Sequence, residues 1–95
     1  MPVMKKLVAP IAVQVIGEHK LRVTFKDGLV GDIDFTNRHW RGVSEPLADP
    51  AFFAQAHVDP EIRTVAWPNG FDMAPETLYE RACQHRVHDP DHIAA

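Results

Sequence analysis

A chain of 95 residues has room for one small domain, and a domain of that size buries only roughly 60–65% of its extended surface. Its 45% apolar and 24% charged residues are globular values that exclude a disordered tail. A formal charge of −3 excludes a broad basic field for nucleic acid or an anionic membrane, leaving Lys5, Lys6, Arg38 and Arg41 as material for a local patch.

At the start, Met4-Lys5-Lys6 followed by Leu7 to Ile16 mimics a secretory leader. Pro10 and Gln14 interrupt that run, and no small-x-small cleavage site precedes His19. Ile11, Val13 and Val15 alternate instead, as one face of a strand. No run approaches the ~18 apolar residues of a membrane span. Cys83 is the only cysteine, so no internal disulfide forms, and a cytoplasmic address is the expectation.

A second strand follows, with Leu21, Val23 and Phe25 on one face and Lys20, Arg22, Thr24 and Lys26 on the other. In a third, Leu29, Gly31, Ile33 and Phe35 share a face opposite Asp32 and Asp34. Register fixes the turn between them. A two-residue loop at Asp27-Gly28 would bury two carboxylates, whereas a three-residue loop pairs Phe25 with Leu29, Val23 with Gly31 and Leu21 with Ile33. The expectation is a type I turn closed by a bulge, with Gly28 at positive φ. Trp67-Pro68-Asn69-Gly70-Phe71 has the same form, with Pro68 at the first turn position, Asn69 second and Gly70 at the bulge. It aligns Trp67 with Phe71 and Val65 with Met73.

Between the hairpins, Thr36 to Val43 reads as a loop. Asp49 and Pro50 mark a helix start, with Leu47, Phe52 or Phe53, and Ala56 available to dock it. Asp59-Pro60-Glu61 is a turn before a strand from Ile62 to Trp67 that carries apolar residues on both parities, as an inner strand does. A last helix runs from Pro75 to about Gln84, laying Leu78, Tyr79, Ala82 and Cys83 on the sheet. The predicted fold is α+β: a small antiparallel sheet of about five short strands, as a three-stranded meander plus a second hairpin, with one short helix and a C-terminal helix packed on one face. Residues 1–84 form the single domain and 85–95 a flexible histidine-rich tail.

No nucleophile, phosphate loop or dinucleotide pattern is present, so an enzyme is not the expected reading and no catalytic residue is assigned. Cys83, His85, His88 and His92 lie close in sequence, but Pro90 breaks any helix among them and Cys83 belongs to a packed stripe. Neither a metal site nor a cofactor is expected. Asp27, Asp32 and Asp34 read as the solvated face of an outer strand. His39-Trp40-Arg41 is either a partner contact, since Trp and Arg are enriched among interface hot spots, or a tryptophan folded back over the core. The candidate binding residues are Asp34, His39, Trp40, Arg41, Asn69 and Asp72.

Phe25-Lys26-Asp27-Gly28, Asp34-Phe35, Glu45-Pro46-Leu47-Ala48-Asp49-Pro50 with Phe52 or Phe53, and Val65 through Tyr79 occur in an order and spacing that resembles the bacterial "domain of unknown function 2442" family. The likeness covers about residues 8–83, and its Trp-Pro-Asn-Gly segment followed by Asp and Leu-Tyr is the specific part. The resemblance implies a small α+β domain and carries over no catalytic residues. It also implies short bacterial proteins, sometimes encoded beside another small protein in the manner of toxin–antitoxin pairs. The resulting expectation is a protein-binding module, antitoxin-like toward a small neighbouring toxin, acting through an edge strand or the Trp40-Arg41 loop, with self-association also open. The alternative is a small-ligand-binding protein or enzyme using Asp34, Asp72 and a histidine. Nucleic-acid contact through Lys5, Lys6 and Arg41 is the least favoured.

Overall fold

The computed structural model describes residues 8–87. Strands β1 (Pro10–Gly17), β2 (Lys20–Phe25) and β3 (Val30–Asp34) form an antiparallel sheet in that order. The β2–β3 register is the one that apolar pairing demands, with Leu21 opposite Ile33 and Val23 opposite Gly31. The three-residue loop is closed by the Phe25 N–H to the Leu29 carbonyl at 2.8 Å and the Gly28 N–H to the Phe25 carbonyl at 2.9 Å, with Gly28 at φ +95°. Leu21, Val23, Phe25, Ile33 and Phe35 are consequently all buried on one face.

β1 departs from simple alternation. Its register shifts between Pro10 and Ala12 and again between Val15 and Gly17. The first shift leaves Ile11 as the extra residue of a bulge, 57% exposed, while Val13 and Val15 keep their places against the core. Ile11 therefore does not share their face, contrary to the strict alternation read from the sequence.

A 3-10 helix (Gly42–Ala48) and the single-turn helix α1 (Pro50–Phe53) follow. Asp49 caps α1 by accepting from the Ala51 N–H at 3.0 Å, with Pro50 at the first position as expected. Leu47 and Phe53 are fully buried beneath these two turns.

The second sheet differs in one strand from the sequence reading. β4 (His57–Asp59) pairs antiparallel with β5 (Thr64–Ala66), so His57 to Asp59, too short and polar to show a pattern, is a strand. The strand read from Ile62 begins only at Thr64. Asp59 holds the chain in a turn until then: its carboxylate accepts from the Glu61 N–H at 2.8 Å, its carbonyl accepts from the Arg63 N–H at 2.7 Å, and Arg63 sits at φ +56°. Ile62 is left 49% exposed.

On its other side β5 meets the returning chain at the Ala66–Asp72 bridge, with the Trp67 N–H on the Phe71 carbonyl at 2.9 Å and the Met73 N–H on the Val65 carbonyl at 3.1 Å. Thr64, Val65 and Ala66 are all buried, as an inner strand requires. Gly70 has φ +89°, so this turn repeats the one at Gly28 down to the side-chain bond: Asn69 Oδ1 accepts from the Phe71 N–H as Asp27 Oδ1 accepts from the Leu29 N–H.

Helix α2 (Pro75–Gln84) lies on the buried face of β3 through Leu78 and Ala82, with Tyr79 and Cys83 half-buried. Past it, residues 85–87 run antiparallel along β3: the Asp32 N–H donates to the His85 carbonyl and the Val87 N–H to the Val30 carbonyl, each at 2.9 Å. The rest of the histidine-rich tail, with His88 and His92, lies outside the described residues, as do Lys5 and Lys6. No described helix is long and apolar enough to cross a membrane.

Candidate functional site

An aromatic row positions the exposed loops. His19, at the β1–β2 turn, meets Phe53 edge-on with ring centroids 5.0 Å apart, and its Nε2–H donates to the Leu47 carbonyl at 2.9 Å. Phe53 continues to Trp67 at 5.7 Å and Trp67 to Phe71 at 5.7 Å. Trp67 is buried and its indole N–H donates to the Phe53 carbonyl at 2.9 Å, so the ring is fixed in orientation as well as place.

Trp40 closes this row from outside. Its ring lies 6.0 Å from Phe53, 6.2 Å from Phe35 and 6.1 Å from His19, and it is half-buried. The tryptophan is thus folded back over the core while one side still meets solvent. Arg38 lies over the same ring at 5.1 Å. His39 and Arg41, on either side of Trp40, are exposed.

Ser44 anchors the far end of this loop. Buried, it accepts from the Arg41 N–H at 3.1 Å and donates its hydroxyl to the Arg41 carbonyl at 2.8 Å. The Asn69 side chain reaches across from the Trp67–Phe71 turn and donates Nδ2–H to the Val43 carbonyl at 2.6 Å. Two loops far apart in sequence are thereby joined, Asn69 being bonded to Val43, two residues beyond Arg41.

Neither Asp72 nor Asp34 is hydrogen-bonded into that junction. Asp72 is exposed and lines a groove of about 200 Å³ with Arg38, Phe71, Thr77 and Arg81. Asp34, at the end of β3, lines a different groove of about 330 Å³ with Ile33, Glu80, Arg81 and His85. Arg81 borders both. The Asp34 carboxylate accepts from the Thr36 hydroxyl and from the Thr36 N–H at 2.8 Å, with Lys20 opposite at 4.0 Å. The Thr36 hydroxyl, then its N–H, hold the carboxyl of Asp34 below the ordinary carboxylate range.

Asp32 and Asp27, the other aspartates of the meander, are likewise engaged. Asp32 receives a two-pronged Arg22 guanidinium at 2.8 and 3.1 Å, a bond that raises the already high Arg22 pKa. Asp27 accepts from the Tyr79 hydroxyl at 2.5 Å, which pushes the phenol above its usual value. Among the described residues, no three His, Cys, Asp or Glu side chains are grouped to hold a metal ion.

Three residues of this region carried no sequence signal strong enough to select them: His19, Arg38 as a stacked cation, and Arg81, which lies over the Phe35 ring at 5.8 Å. Only the spacing of Arg81 on α2, three residues beyond buried Leu78, hinted that it borders the core.

Fold and site together define a small α+β domain that carries two linked loops on an aromatic core. The chain belongs to the family described as "protein of unknown function (DUF2442)", whose model matches residues 10–83. No curated protein and no solved structure gives a significant match.

Proposed function

We propose that the chain is a protein-binding module, antitoxin-like toward a small protein encoded beside it, and that it docks through the surface shared by residues 38–43 and Asn69. The observation that carries this reading is the Asn69–Val43 hydrogen bond of 2.6 Å. It ties together a surface holding an exposed arginine, Arg41, a half-exposed tryptophan, Trp40, and an exposed aliphatic side chain, Val43, at 60%. Trp and Arg are enriched among the few residues that dominate the binding energy of protein interfaces. A loop already fixed by Ser44 and Asn69 loses little further freedom on binding, which leaves more of the contact energy as affinity. The family resemblance adds the kind of partner, a small protein from the adjacent reading frame.

The test is titration calorimetry of the full chain with that neighbouring protein, followed by Val43→Asp and Arg41→Ala. Both side chains are exposed, so neither change disturbs the core. The expected result is a defined complex that each variant weakens by at least about tenfold. Absence of a complex with the unaltered chain, or unchanged affinity in both variants, overturns the proposal.

A further inference from the structure

Arg38 and Arg81 border one groove next to this surface. The Arg38 guanidinium lies over the Trp40 ring at 5.1 Å and that of Arg81 over the Phe35 ring at 5.8 Å, and those two rings lie 6.2 Å from one another. Both arginines line the groove of about 200 Å³, together with Phe71, Asp72 and Thr77. Among the described residues the ion pairs are Lys20–Asp34 and Arg22–Asp32, and neither uses Arg38 or Arg81. The net charge of −3 therefore conceals two adjacent cations without a carboxylate partner among the described residues.

Both arginines are exposed and neither is spent on an ion pair among the described residues, so the planar fork of each guanidinium is free to match a carboxylate. The contact with the ring also restricts each side chain before a ligand arrives, which reduces the entropy lost on binding. Asp72, on the same groove, disfavours a second negative charge, so the site suits a monoanion better than a phosphate dianion. The half-buried Phe71 offers an apolar surface beside the cations.

We infer that the Arg38–Arg81 groove receives a carboxylate side chain of the protein partner, presented beside an apolar residue that packs on Phe71. The inference rests on the docking reading for what carries the carboxylate; the groove itself is testable without any partner.

The probe is an N-acetylated, C-amidated Glu-Leu dipeptide, titrated into the full chain while the arginine Nε–H resonances are followed. Its Gln-Leu counterpart and inorganic phosphate serve as comparisons. Expected are saturable shifts at Arg38 and Arg81 with Glu-Leu, and binding about tenfold weaker for Gln-Leu and for Arg81→Ala, the scale of a lost charge-assisted hydrogen bond. Asp72→Asn should bind more tightly. An unchanged amide spectrum in each variant establishes that the fold is intact. No saturable shift, equal binding of Gln-Leu, tighter binding of phosphate, or shifts that merely follow ionic strength overturns the carboxylate site. A groove that takes the dipeptide in a chain that binds no neighbouring protein upholds the carboxylate site but overturns the docking reading, and with it the partner as the source of that carboxylate.

Discussion

Gly31 and Ala82 approach so closely that no side chain fits between them. A Cβ built on Gly31 would stand 2.4 Å from the Ala82 carbonyl oxygen, 2.5 Å from its Cβ and 2.6 Å from its Cα. Helix α2 thus rests directly on the β3 backbone, and that close seat brings Arg81 beside Phe35. Gly31→Ala must push the helix outward, and the cost should be about 1–3 kcal/mol, the scale of an overpacked core. Because two of the three nearest atoms are backbone, Ala82→Gly should restore only part of the loss. Urea unfolding midpoints of the single and double variants check both statements.

Gly28 offers the opposite case. A Cβ there meets nothing within 4 Å, but the residue sits at φ +95°. Gly28→Ala should therefore cost only the torsional penalty, about 1–2 kcal/mol, with no crowding to add. Gly28→Val should cost more, because a β-branched side chain tolerates that region worst. Thermal unfolding of the pair separates a conformational from a packing requirement within one hairpin.

The Tyr79–Asp27 bond makes a prediction on the alkaline side. The carboxylate raises the phenol above its ordinary 10.0 in the folded chain, so the folded state holds the proton more tightly than the unfolded one. The stabilisation is complete below the ordinary value and disappears as pH rises through the higher folded one. Tyr79 is the only tyrosine, so tyrosinate absorbance reports it directly. Asp27→Asn should lower the observed pKa, and Tyr79→Phe should remove this alkaline step from the stability profile.

On the acid side the sign reverses. Thr36 holds the Asp34 carboxyl below its ordinary 3.8, so this contribution is present above that value and is lost as pH falls through the lower folded one. Thr36→Val removes the hydroxyl but leaves the backbone N–H. The Asp34 pKa, followed by carboxyl-carbon NMR, should move up toward the ordinary value without reaching it.

What the sequence made legible was whatever a parity argument could decide. Leu21, Val23 and Phe25 admit one turn length opposite Leu29, Gly31 and Ile33, because the other buries Asp32 and Asp34. The Trp67–Phe71 turn followed from its likeness to Phe25–Leu29. Short or irregular pieces were not legible. His57 to Asp59 is a strand only because β5 lies beside it, and Ile11 faces outward only because the chain bulges there. Nor could Gly31 be distinguished from any small residue on the inner face, since its necessity comes from Ala82, far along the chain. The loops joined by Asn69 and Val43 were visible separately as Trp40-Arg41 and Asn69. Their union was not, because a side-chain bond to a distant carbonyl leaves no periodic trace. The Arg38–Arg81 groove was hidden for the same reason: α2 supplies one cation and the loop after β3 the other.

The strand-like run of residues 85–87 bears on how the chain is made. A nascent polypeptide emerges from its amino end, so the meander can form as soon as Asp34 is free, well before α2 exists. Until then, the outer rim of β3 presents unsatisfied amide and carbonyl groups to any extended peptide nearby. His85 and Val87 close that rim only once α2 has been synthesised. During that interval the rim of β3 is open to pairing with another extended chain, and slower translation beyond Asp34 lengthens it.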